Sequence, residues 1–238
     1  MFKMDVTGTI TVKNYLNRKH YINVTFNKTI KELDIINFHN CVDKVRLENE
    51  NTVTFFSQEG LMLLSTYRKV MNDTQNAPFR MFWEFKKTTD FVLEGKIRLR
   101  SDFKPKVVAK DIFLSVPLPK DIHSCSFEFA RDFKDTKKTI ESSCKFNTGT
   151  GCIEWELSNV PGGMEQALAV KIVMEYRIPD DASIKKFIPA IHLLKFELPA
   201  KTLSRLKLQN FDLGNSNSTK WIKYATNSSG GYSSRFIK

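Results

Sequence analysis

Apolar positions recur along this chain at every second residue. Ile10 and Val12 alternate with polar neighbours, and so do Ile22, Val24 and Phe26. Ile112, Leu114, Val116 and Leu118 share one face of IFLSVPLP, as do Cys125, Phe127 and Phe129, and then Ile153, Trp155 and Leu157. Leu168, Val170, Ile172, Met174 and Tyr176 form the longest ladder, and Leu194, Phe196 and Leu198 the last before Pro199. Side chains two apart on an extended strand point the same way, so each ladder predicts a strand with one face on a core. KELDIINFHNCV comes nearest to a helical period and is too short to sustain it.

Turn-forming clusters separate the ladders: NDTQNAP (72–78), RSDFKP (100–105), FNTGTG (146–151), VPGG (160–163) and IPDDAS (178–183). Many short alternating strands with such turns predict an all-β, immunoglobulin-like antiparallel sandwich. The ladders exceed what a single sandwich of this type uses, so two sandwiches, or one long continuous one, fit better.

Composition sharpens this picture without changing it. The 238 residues are 41% hydrophobic and 12% aromatic, enough to bury a sizeable core in one large domain or two small ones. No apolar run approaches the roughly 20 residues of a membrane-spanning helix. The opening MFKMDVTGTITVKNYL alternates and lacks a signal peptide's apolar core, so a cytoplasmic protein is expected. The sequons beginning at Asn23, Asn27, Asn72, Asn217 and Asn227 are then products of an Asn/Ser/Thr-rich composition. Cys41, Cys125, Cys144 and Cys152 match no common zinc spacing and read as reduced structural thiols, with Cys41 and Cys125 in strand patterns.

Charge points to partners. Lys plus Arg number 37 against 26 Asp plus Glu, a net +11 that favours an anionic surface. The densest basic run is Arg98, Arg100, Lys104, Lys106 and Lys110, with Lys185 and Lys186 a second cluster. No nucleic-acid reader motif accompanies them, which argues against a nucleic-acid partner. The four histidines (His20, His39, His123 and His192) stand apart from any nucleophile motif, and no phosphate loop or metalloprotease motif occurs. His39, between apolar residues in NFHNC, reads as a hydrogen-bonded structural histidine. A binding protein rather than an enzyme is expected, with no catalytic residue, metal or cofactor.

Collinear segments then resemble the mu-homology domain of the medium (mu) subunits of clathrin-type adaptor complexes. They are VTGTITVKNYL (6–16), NFHNCV (37–42), EGLMLLSTYR (59–68) with PFR (78–80), SDFKPKVVAKDIFLSVPLP (101–119), IEWELSNVPGG (153–163), LKFELP (194–199) and KWIKYATNSSGGYSSRF (220–236). VPLP, the glycine pair and FELP lean towards the medium subunit of the fourth adaptor complex. The resemblance implies an elongated, two-lobed sandwich with one lobe inserted in the other. Lobe A would comprise 1–73 and 201–238, lobe B 74–200, the C-terminal tail completing a lobe A sheet begun near residue 6. The family's preceding strand, with its Phe and Asp, and its N-terminal longin-like domain have no counterpart in this alignment. Phe2 and Asp5 align with the following strand instead.

The function implied is recognition of Tyr-x-x-Φ sorting signals, Φ being a bulky apolar residue, in cytosolic tails of membrane cargo during vesicle-mediated transport. The peptide would lie as an added strand along Trp221–Lys223. Trp221 offers a stacking face, and Lys223, where the family usually has arginine, an aliphatic stem. Lys13 would approach the tyrosine hydroxyl, while Leu208, Phe211 and Ile222 match the Φ pocket. Trp83, Trp155 and Tyr224 read as packing residues. The alternative is a membrane-surface or scaffold module holding anionic phosphoinositides through Lys104, Lys106, Lys110, Lys185 and Lys186. Expected partners are cargo tails, other adaptor subunits and the anionic membrane of Golgi, endosomal or plasma-membrane coated vesicles.

Overall fold

Each ladder forms a strand. The computed structural model describes residues 4–15, 21–71, 77–130, 140–178, 191–214 and 221–233. Ile10 and Val12 lie on β1 (Met4–Asn14), and Ile22, Val24 and Phe26 are the buried residues of β2 (Tyr21–Phe26). β3 (Ile35–Phe38), β4 (Val42–Asp43), β5 (Thr52–Phe56) and β6 (Gly60–Met71) follow. The near-helical KELDIINFHNCV splits into a 3-10 turn ending at Glu32 and strand β3.

The chain divides into two units, Met1–Ala77 with Lys201–Tyr224, and Pro78–Ala200 with Ala225–Lys238. In the first, one sheet runs β1-β6-β3 and the other β16-β2-β5-β4, where β16 is Leu208–Asp212. Alternation sends Phe26, Val53, Phe55 and Leu64 into a shared core. Gly8 stands opposite Tyr67, and a Cβ there would come within 2.1 Å of the tyrosine ring. The missing side chain lets the ring lie across β1, and its hydroxyl meets Ser204 Oγ at 2.9 Å.

The second unit contains β7 (Phe79–Thr89), β8 (Val92–Ser101), β9 (Val108–Pro117), β10 (Ile122–Ala130), β11 (Ser142–Asn147) and β12 (Cys152–Leu157). It is completed by β13 (Val160–Pro161), β14 (Glu165–Met174), β15 (Ile191–Pro199) and β17 (Ala225–Ser233). Its sheets run β10-β14-β8-β7 and β11-β12-β9-β15-β17, with β13 against β9. Trp83 and Trp155, each 1% exposed, sit in the core as read from the sequence. The Trp155 indole N–H donates to Ser142 Oγ at 2.8 Å, satisfying its one polar atom.

Several sequence expectations need correction. The tail does not finish a lobe A sheet: β17 pairs in antiparallel register with β15, from Ala225 opposite Pro199 to Ser233 opposite Ile191. The last ladder's outer edge takes the tail's backbone whatever its side chains prefer. β14 ends at Met174, leaving Tyr176 outside the ladder. Cys41 occupies the turn before β4 rather than a strand.

Candidate functional site

The segment leading into β16 is held by a dense set of local bonds. Asn27 donates its backbone N–H to the Lys207 carbonyl at 2.9 Å, and its Oδ1 accepts the Lys207 N–H at 3.0 Å. Its Nδ2 donates to the Arg205 carbonyl at 3.0 Å, and Thr202 Oγ1 donates to the Leu206 carbonyl at 2.9 Å. With Ser204 buried against Tyr67, these contacts place β16 antiparallel to β2, at the edge of its sheet. Leu208 and Phe211 are half-buried and pack on the core of the first unit.

Residues 221–224 are tied to the start of β16 through Tyr224. The Leu208 backbone N–H donates to the Tyr224 hydroxyl at 3.1 Å, so Tyr224 acts as a half-buried latch, in line with its packing reading. Trp221 and Ile222 are 72% and 48% exposed, and Lys223 is exposed. Here the expected strand is corrected: residues 221–224 are irregular, and strand pairing begins at Ala225. Leu208 and Phe211 thus sit on edge strand β16, while Trp221, Ile222 and Lys223 stand on the irregular segment that Tyr224 ties to the first residue of that strand.

Lys13 is placed elsewhere. It is exposed on β1 in the facing sheet, opposite Leu61, and its ammonium lies 4.8 Å from the centre of the Tyr15 ring. Tyr15, Leu61 and Leu63 make an apolar surface there that sequence reasoning missed. Its trace was the unbroken LMLL run in β6: an apolar residue at every position needs two apolar faces. A second missed pair, Tyr21 and Phe56, meets on adjacent strands with ring centres 3.7 Å apart and planes inclined by 55°.

The basic run is less available than its sequence suggests. Arg98 is paired with Glu84 at 2.8 Å and Glu165 at 3.6 Å, and lies over the Phe82 ring. Asp102 takes both Arg80 and Arg100. The hydrogen bond from Arg80 holds its carboxyl below the usual range against partial burial, with Arg100 adding to the effect. Lys104 and Lys106 remain exposed on the turn closed by the Val107 N–H to the Lys104 carbonyl, and Gly162 packs against that turn's backbone. Lys110 is exposed on β9, opposite Glu197 in register. Lys185 and Lys186 lie outside the described residues.

Among the described residues no three His, Cys, Asp or Glu side chains gather as a metal-binding group. No described helix is long and apolar enough to cross a membrane.

Comparison with known proteins gives this arrangement its setting. The AP-1 complex subunit mu-2 of Mus musculus is 24% identical over 242 residues, covering 94% of this chain and 53% of the relative. The AP-4 complex subunit mu of Arabidopsis thaliana is 22% identical over 245 residues, covering 93% and 52%. The chain therefore spans about half the length of these curated relatives. The Fcho1 mu homology domain of Danio rerio, solved with a bound Eps15 peptide, shares the fold with a TM-score of 0.63 at 12% identity, covering 98% of this chain and 89% of that one. A sequence profile described as the adaptor complexes medium subunit family matches residues 1–236, and the chain belongs to that family.

Proposed function

We propose that this chain is a cargo-recognition module of adaptor type, which captures extended Tyr-x-x-Φ segments from cytosolic tails of membrane proteins for vesicle transport. The observation that carries the reading is Trp221, a large flat side chain left 72% exposed three residues before the Tyr224 that bonds edge strand β16. Exposed aromatic surface near the edge of a sheet suits β-augmentation, in which the main chain gives affinity and side-chain pockets give specificity. The signal tyrosine stacks on Trp221 and the aliphatic stem of Lys223, while Φ reaches Leu208, Phe211 and Ile222. For Lys13 to meet the tyrosine hydroxyl, its ammonium must leave the Tyr15 ring. The bound peptide on the Fcho1 domain shows that another protein of this fold takes a peptide, which supports the reading.

The test is titration of a labelled Tyr-x-x-Leu peptide, with its Tyr→Ala version as control. Micromolar binding that requires the tyrosine is expected. Equal binding of both peptides, or none, overturns the reading.

A second reading follows from the exposed Lys104–Lys106 turn with Lys110 close by in sequence. Together with Lys185 and Lys186, these residues meet an anionic membrane surface, each gaining about 1 kcal/mol near the leaflet. Co-sedimentation with phosphoinositide vesicles should fall steeply between low and physiological salt. Indifference to anionic lipid would sink this reading.

A further inference from the structure

The turn between β3 and β4 brings an imidazole nitrogen and a thiol to a thioether on β6. His39 Nδ1 lies 3.0 Å from Cys41 Sγ, and Cys41 Sγ lies 3.7 Å from Met62 Sδ on β6. The Cys41 backbone N–H donates to the same Nδ1 at 3.2 Å, so that nitrogen carries a lone pair and the ring proton sits on Nε2. Cys41 Sγ thus lies within reach of both other heteroatoms, and its proton can be offered to either.

The frame around them is fixed. The His39 N–H donates to the Leu64 carbonyl at 2.9 Å, the Val42 N–H to the His39 carbonyl at 3.0 Å, and Met62 is 7% exposed. Cys41 is half-buried and His39 exposed, so the group is open to solvent on the imidazole side. Thiolate and thioether sulfur are the donors that select Cu(I), and imidazole is compatible with them. A tetrahedral zinc centre has no use for the thioether, which separates this group from a zinc site.

We propose that His39, Cys41 and Met62 bind one Cu(I) ion. The cation replaces the thiol proton, which passes to water as the Cu–S bond forms, and no electron is transferred. With bond lengths of about 2.3 Å to sulfur, the observed S–S separation subtends about 107° at a shared metal, close to tetrahedral. The Nδ1–Sγ distance must open by about 0.5 Å for a nitrogen held about 2.0 Å from the same centre. An exposed imidazole supplies that by turning about its side-chain bonds, its Nδ1 lone pair leaving the Cys41 N–H for the metal. None of the residues of the proposed peptide site takes part.

The experiment titrates the whole chain with Cu(I) under anaerobic conditions against a chromophoric Cu(I) chelator. Wild type is expected to withdraw one equivalent, and C41S none. A variant with Cys125, Cys144 and Cys152 all changed to serine should withdraw the same equivalent as wild type. M62L, similar in volume, and H39Q keep the thiol and report on the other two donors should C41S not fold. Both should bind more weakly than wild type. The assignment is overturned if wild type fails to compete with the chelator, if C41S binds as wild type does, or if M62L and H39Q leave the affinity unchanged.

Discussion

Replacing Trp221 by alanine separates a binding role from a packing role. The residue is 72% exposed, so its removal opens no cavity in the core. The expected loss of folding stability is within about 0.5 kcal/mol, as at ordinary surface positions. Binding is a different matter. A tryptophan presents up to about 250 Å², and a tyrosine ring laid on one face would cover roughly 90 Å² of what is now exposed. At about 25 cal/mol per Å² this is worth about 2 kcal/mol, or about thirtyfold in Kd. Trp155 serves as the counter-case: it is 1% exposed and its indole N–H is bonded to Ser142. W155A should lose about 3–5 kcal/mol of stability. The assay pairs urea unfolding of each variant with fluorescence-anisotropy titration of the Tyr-x-x-Leu peptide. The reasoning fails if W221A unfolds several kcal/mol more easily, or if it binds the peptide as tightly as wild type.

Three other expectations are open to direct test. A Cβ at Gly162 would stand 2.2 Å from the Phe103 carbonyl oxygen and 2.5 Å from that of Lys104, both backbone atoms, so G162A should lose about 1–3 kcal/mol in urea unfolding. Y67F removes the buried hydroxyl contact with Ser204 and should lower the urea midpoint by about 1 kcal/mol equivalent with unchanged slope; an unchanged midpoint would show the bond to be idle. Burial pushes the Cys125 and Cys144 thiols up to about 12 from 9.0, with Cys125 adding to the shift at Cys144. Because the folded value is raised, the associated stability is intact below pH 9.0 and is lost as pH climbs from there through about 12. Iodoacetamide at pH 8 should therefore label these two thiols slowly while the fold holds, and labelling of either at the rate of a free thiol would contradict their partial burial.

What the sequence revealed, and where it stopped, has a physical pattern. Ladders such as Leu168–Met174 were legible because alternate burial is written directly into residue type. The tail was not, in two opposite ways. Trp221 and Ile222 look like strand residues, yet 221–224 is irregular, since strand preference is realised only where a neighbouring strand is available. ATNSSGGYS, poor in strand formers, nonetheless pairs residue for residue with β15, whose edge supplies the hydrogen-bonding partner. Of the site residues, Leu208 and Phe211 lie on β16 and Trp221, Ile222 and Lys223 on the segment that Tyr224 ties to it, whereas Lys13 belongs to the facing sheet, a separation that spacing along the chain does not encode. The Cys41 group escaped notice because His39 and Met62 are 23 residues apart, and only the pairing that places β6 beside β3 brings the thioether to the turn.

The route of the backbone bears on how this protein emerges from the ribosome. The chain passes from the first unit to the second after Ala77, returns after Ala200, and leaves again after Tyr224. The sheet holding β2 waits for residues 208–212, and the sheet holding β9 waits for 225–233. Synthesis proceeds at about 5–20 residues per second, and domains ordinarily fold in turn as they appear. Neither unit here has its full set of strands until more than 200 residues have been made. Nascent chains stalled after Ala200 should therefore be open to protease and to chaperones in both units, and protection should arrive late for both.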